Sequence, residues 1–102
     1  MLSNALLAFL ENRPGESFTA GELQERVRWP GRVLPCHVQQ ALERKLFLEG
    51  AVAADRIDLV DGGGFPARAV PGTRWAALET APPGFLAYDP SGELFDCVEM
   101  RA

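Results

Sequence analysis

The chain is short of the residues from which most reactive sites are built: one histidine, two cysteines and a single lysine, with no long apolar run. Each shortage closes off a class of function. Structural zinc takes about four ligands, and Cys36 and Cys97 stand far apart with no further cysteine at metal-like spacing, so no metal site is expected. Both thiols read as buried or idle, and no disulfide is expected between them. His37 follows Cys36 directly, but a Cys-His pair with no third group to orient it is not a nucleophilic site. No paired carboxylates, ligand cluster or nucleophile with its base can be assembled, so the sequence predicts neither an enzyme nor a cofactor. A bilayer span needs ~20 consecutive apolar residues. Met1-Leu2-Ser3-Asn4 also lacks the basic start of a secretory signal, which predicts a cytoplasmic protein with no membrane partner.

What is present points to one small domain. A chain of 102 residues with 47% hydrophobic content can close a single core. Its formal charge of -4 is unevenly placed. Residues 1–77 hold nine basic and nine acidic side chains, whereas residues 78–102 hold one arginine against five acids. A neutral front with an acidic back allows only a local basic face for nucleic acid. Nine arginines to one lysine, with abundant alanine, glycine and proline, suggest a GC-rich bacterial or phage genome.

Helical punctuation is strongest in the first half. Leu2, Leu6, Phe9 and Leu10 recur at helical spacing, with Ser3 or Asn4 as candidate caps and an end near Asn12 before Arg13-Pro14-Gly15. Thr19 followed by Glu22 is a capping-box pattern flanked by apolar residues, so a second helix starts at Thr19. Arg28-Trp29-Pro30-Gly31-Arg32-Val33-Leu34 breaks it, and Pro35 opens a third amphipathic run through Leu46. On that run Val38, Ala41, Leu42, Lys45 and Leu46 share one side, leaving Cys36, His37, Gln39, Gln40, Glu43 and Arg44 opposite. The apolar stripes of three helices can share one core.

The second half reads as strands. Residues 51–54, 56–60 and 74–78 have strand-like content, separated by Asp61-Gly62-Gly63-Gly64 and Pro71-Gly72, which predicts a hairpin with a long tip. The glycine run lacks the Lys and Ser or Thr of a phosphate-binding loop and opens no helix. After the stiff Thr80-Ala81-Pro82-Pro83, residues 85–88 and 94–100 flank Asp89-Pro90-Ser91-Gly92, a turn suited to a second hairpin. Phe85 and Phe95 fall on one face of that hairpin, Leu86, Tyr88, Leu94 and Val98 on the other.

Ala41-Leu42-Glu43-Arg44-Lys45 through Leu48-Glu49-Gly50-Ala51-Val52, set in the order helix, helix, turn, helix and Gly-rich hairpin, resembles the winged helix-turn-helix superfamily over about residues 2–78. The resemblance implies an α+β fold, a three-helix bundle with a β-hairpin wing. Residues 79–102 add an extra C-terminal β-hairpin to the same domain. It also implies that the third helix enters the major groove of double-stranded DNA with the hairpin tip as wing. Two features depart from the family pattern. The turn from Arg28 to Leu34 exceeds the roughly three or four residues of a tight helix-turn-helix, and no Ser, Thr or Asp caps the helix at Pro35.

Gln39 and Gln40 can pair with adenine edges and Arg44 with guanine or phosphate, with His37 on the same face. Arg28, Arg32 and Arg68 can hold phosphates around that helix. Glutamine and arginine also populate any solvated helix, and Glu43 can neutralise Arg44 in place. Trp75 reads as core, whereas Trp29, Phe85, Tyr88 and Phe95 are candidates for a protein interface. The expected function is a dimeric DNA-binding transcriptional regulator whose C-terminal hairpin joins the two copies. The alternative is a winged-helix adaptor or phage-type inhibitor that docks a protein through its acidic end.

Overall fold

A computed structural model of the chain describes residues 2–56, 58–59, 67–68, 72–88 and 93–97. In chain order these form α1 (Leu2–Glu11), β1 (Phe18–Thr19), α2 (Ala20–Arg26), α3 (Pro35–Phe47), β2 (Val52–Ala54), β3 (Asp58–Leu59), β4 (Ala67–Arg68), β5 (Arg74–Ala77), β6 (Leu86–Tyr88) and β7 (Leu94–Asp96). A 3-10 turn over Leu78–Thr80 links β5 to the segment before β6. The class is α+β: helices against an antiparallel sheet of order β1-β5-β2-β6-β7, with β3 and β4 paired in a separate ladder.

α1 starts earlier than expected. Ser3 and Asn4 therefore lie within its first turn rather than capping it. Ser3 is buried, and Asn4 accepts a hydrogen bond from Lys45 Nζ at 2.9 Å. At α2 the capping box forms as expected. The Glu22 amide donates to Thr19 Oγ1 at 3.2 Å and the Thr19 amide donates to Glu22 Oε1 at 3.0 Å. α2 stops at Val27, whose extended backbone begins the break, and Gly31 turns the loop at φ +102°, a conformation open to glycine. α3 runs one residue past the expected Leu46 and buries Val38, Leu42, Lys45 and Leu46.

β1 has no counterpart in the sequence reading. Phe18 pairs with Trp75 and Thr19 with Arg74, so the α2 cap residue and the residue before it form an edge strand. Two residues are too few to leave a period-2 signal. The expected wing hairpin divides in two: β2 pairs with β5, whereas Asp58 and Leu59 face Arg68 and Ala67. Leu78 leaves the strand for the 3-10 turn. The Gly62-Gly63-Gly64 run lies outside the described residues. The C-terminal hairpin forms with Ala87 opposite Phe95, and β6 joins it to β2 through Ala54 and Leu86, within the same sheet as β2 and β5.

The sheet is covered on both faces. On one side Val52, Ala54, Trp75 and Ala77 pack with Leu6, Leu10, Phe18, Leu23, Val38, Leu42 and Leu46, and Trp75 sits under the helices as expected. On the other side Ala53 and Ala76 join Ala81, Phe85, Ala87 and Cys97 in a second small cluster. All three residues of β2 are consequently buried, a pattern reserved for strands with both faces covered. Phe85, expected at a partner surface, is only 7% exposed because the chain folds back across the sheet after β5.

Arg74 fastens one end of this sheet. Its amide donates to Asp55 Oδ1 at 2.8 Å, and its Nε and Nη2 donate to Ser17 Oγ and Ser17 O at 2.9 and 2.6 Å. Its Nη1 lies 3.4 Å from Glu22 Oε1, so the β1 lead-in, the α2 cap and β5 are held together. Among the described residues no helix is long and apolar enough to cross a membrane.

Candidate functional site

Two adjoining pieces of chain, the α2–α3 loop and the outer face of α3, carry most of the side chains with binding potential. From Arg26 to Leu42 there is no aspartate or glutamate, while Arg26, Arg28 and Arg32 are all present. Arg28 and Arg32 are exposed, as are Trp29 at 36% and Leu34 at 38%. The loop is nevertheless tied down. Gln24 Nε2 donates to the Val33 carbonyl at 3.1 Å, which fastens the loop to α2.

The start of α3 has an unexpected cap. Leu34 precedes Pro35 and has no side-chain acceptor of its own, but His37 Nδ1 accepts a hydrogen bond from the Leu34 amide at 3.3 Å. The imidazole thus performs the half of a capping box normally taken by Glu or Gln, reaching back from the third helical position. His37 is exposed on the same face as the candidate readers while it holds the loop to the helix.

Along the outer face of α3, Cys36, Gln40 and Arg44 follow one another at four-residue intervals and all are exposed. A four-residue step advances about 6 Å along the axis and keeps the residues on one stripe. The two glutamines, equivalent in sequence, are not equivalent in structure. Gln39 is half-buried and its Nε2 donates to Glu43 Oε1 at 3.5 Å, whereas Gln40 projects outward. That pairing also alters the expectation for Glu43, because its hydrogen bond runs to Gln39 and Arg44 forms no ion pair among the described residues.

The remaining candidates lie elsewhere. Arg68 belongs to β4, opposite Asp58, and not to a loop tip; its side chain is outside the described residues. Phe85 is a core residue of the second cluster. Tyr88 is half-buried with its ring edge-on to Phe47 at 5.2 Å, and burial raises its pKa above the ordinary 10.0. Its hydroxyl, like the Trp75 indole nitrogen, is buried with no hydrogen-bond partner among the described residues. Phe95 lies in β7 opposite Ala87, with its side chain outside the described residues. Cys36 is exposed and Cys97 buried, with no disulfide between them.

A groove of about 300 Å³ lies apart from this site, lined by Leu7 and Glu11 of α1, Ala51 and residues 77–80. No group of three or more His, Cys, Asp or Glu among the described residues is placed to hold a metal ion. Sequence reasoning missed the His37 cap and the hydrogen bond from Lys45 to Asn4, although it placed Lys45 on the apolar side of the third helix. It also passed over the clearest available signal, the absence of carboxylates from Arg26 to Leu42. No family model matches the sequence, and no curated protein and no solved structure resembles it significantly.

Proposed function

We propose that the chain is a small DNA-binding transcriptional regulator of the winged helix-turn-helix type, acting in the cytoplasm, with α3 as its reading element. The observation that carries this reading is the carboxylate-free, arginine-bearing loop that leads directly into an exposed Gln40–Arg44 stripe. Gln40 has the amide geometry for an adenine edge and Arg44 the fork for guanine, one helical turn apart. Arg28 and Arg32 provide positive charge for phosphates beside them. The order of helices and strands in the chain supports the winged-helix assignment. A single module of this size makes few base contacts, so the proposal includes a dimer on two half-sites, with the β6–β7 hairpin as its contact.

The test is binding to a mixed pool of duplex DNA at ~50 and ~200 mM salt, with Arg44→Ala alongside. The expected outcome is affinity that falls steeply with salt and is lost in the variant. Absence of binding at the lower salt refutes the proposal.

A second reading, a protein-docking module that does not bind DNA, is favoured by the exposed apolar side chains Trp29, Leu34 and Leu48, the last 63% exposed. The excess of acids in residues 78–102 suits a basic partner.

A further inference from the structure

Among the described residues, Trp29 is the aromatic side chain least accounted for by the fold. Its 36% exposure contrasts with the complete burial of Trp75, and it stands in the loop between two exposed arginines, Arg28 and Arg32. The following Pro30 restricts Trp29 to extended backbone. The bonds from Gln24 to Val33 and from Leu34 to His37 hold the second half of the loop in place. The loop that carries the indole is therefore tied to α2 and α3 at its far end, which limits the entropy lost when a ligand settles on it.

The chemistry around this indole selects among ligands. A cation, an aromatic plane and a second cation, in a stretch with no carboxylate, match the alternation of phosphate and base along a nucleic-acid strand. Within an intact duplex every base face except those of the two end pairs is covered by its neighbours, so an exposed indole finds no stacking face along its length. Only an unpaired or unstacked base offers a free face.

We infer that Trp29 is a stacking platform for an unpaired base, with Arg28 and Arg32 on the flanking phosphates, so that the protein prefers duplex DNA interrupted by a short single-stranded gap over an unbroken duplex. This inference rests on the nucleic-acid reading of the α3 surface. It places the duplex on α3 and the exposed base on the loop that precedes it.

The test compares a labelled blunt duplex with the same duplex carrying a short gap, by fluorescence anisotropy at ~50 mM salt. Intrinsic tryptophan emission is followed in parallel. Because Trp75 is fully buried, quenching on binding reports Trp29. The wild-type protein is expected to bind the gapped DNA roughly tenfold more tightly, the worth of one base–aromatic stack. Quenching is expected with the gapped DNA alone. Trp29→Ala should reduce gapped binding to the blunt level and leave blunt binding unchanged, whereas Trp29→Phe should keep most of the preference. Far-ultraviolet circular dichroism checks that both variants are folded.

Equal binding to the two DNAs without quenching overturns the inference and leaves the duplex reading standing. A gap preference that survives Trp29→Ala overturns it as well. Failure to bind either DNA removes both readings and leaves the indole to the protein-docking reading.

Discussion

Lys45 presents a case in which deleting a charged residue should cost less than deleting its partners. It lies on the core face of α3 at 5% exposure, and its ammonium donates to Asn4 Oδ1 and Glu49 Oε1, both at 2.9 Å. The Glu49 side chain is 47% exposed, so solvent screens that ion pair to about 0.5 kcal/mol. The bond from a charged donor to Asn4 is worth about 1.5–3 kcal/mol. Lys45→Met keeps the packed stem and removes the charge, while Asn4 and Glu49, both exposed, regain water. Its expected effect is within about 1 kcal/mol of zero, because removing a buried charge also removes its desolvation cost. Asn4→Ala combined with Glu49→Ala instead strands the ammonium, with an expected loss of about 3 kcal/mol. Adding Lys45→Met to that double variant should recover most of the loss. Urea denaturation of the four proteins, followed by circular dichroism, measures these differences. If Lys45→Met proves more damaging than the double variant, the ammonium is a net stabiliser and the reasoning is refuted.

Two further outcomes follow from the same kind of argument. Tyr88→Phe removes a buried hydroxyl that has no partner among the described residues and keeps the ring against Phe47, so stability should rise by about 1 kcal/mol. A fall in the thermal midpoint would show that the hydroxyl is bonded in solution. For Glu22, the hydrogen bond from the Thr19 amide, with later contributions from Thr19 Oγ1, Arg74 and Arg26, holds the carboxyl below its ordinary 4.5. A depressed carboxyl stabilises the fold above its unfolded value, and that contribution disappears as pH falls through the lower folded value. Glu22→Gln should therefore flatten the loss of thermal midpoint below about pH 4.5, and an unchanged acid slope would contradict the assignment.

Much of the architecture was legible where signals were local. Thr19 and Glu22 announce the start of α2 because both halves of the capping box lie within four residues. Pro35 and the spacing of Val38, Leu42 and Leu46 announce α3 and its buried side. Pairing between distant segments was not legible. β1 is set by Trp75 and Arg74, more than fifty positions away, and no periodicity in Phe18-Thr19 reveals it. The split of the expected wing into two ladders depends likewise on which strands meet, and a run of β-prone residues does not encode its partner.

The candidate site divides along the same line. Arg28, Trp29, Arg32, Gln40 and Arg44 stand out in the sequence because polar residues on the outer stripe of an amphipathic helix, and polar or aromatic residues in a broken segment, follow from local spacing. Their relative standing does not. Gln39 engages Glu43 while Gln40 projects outward, and His37 becomes a cap because Leu34 and Pro35 leave an amide without a side-chain acceptor. Phe85 and Cys97 are taken inward once residues after β5 fold across the sheet, whereas Trp29 stays exposed. Local propensity and capping act over a few residues and are written into neighbouring letters. Burial is decided by what another part of the chain brings against a side chain, and that is settled by folding in three dimensions.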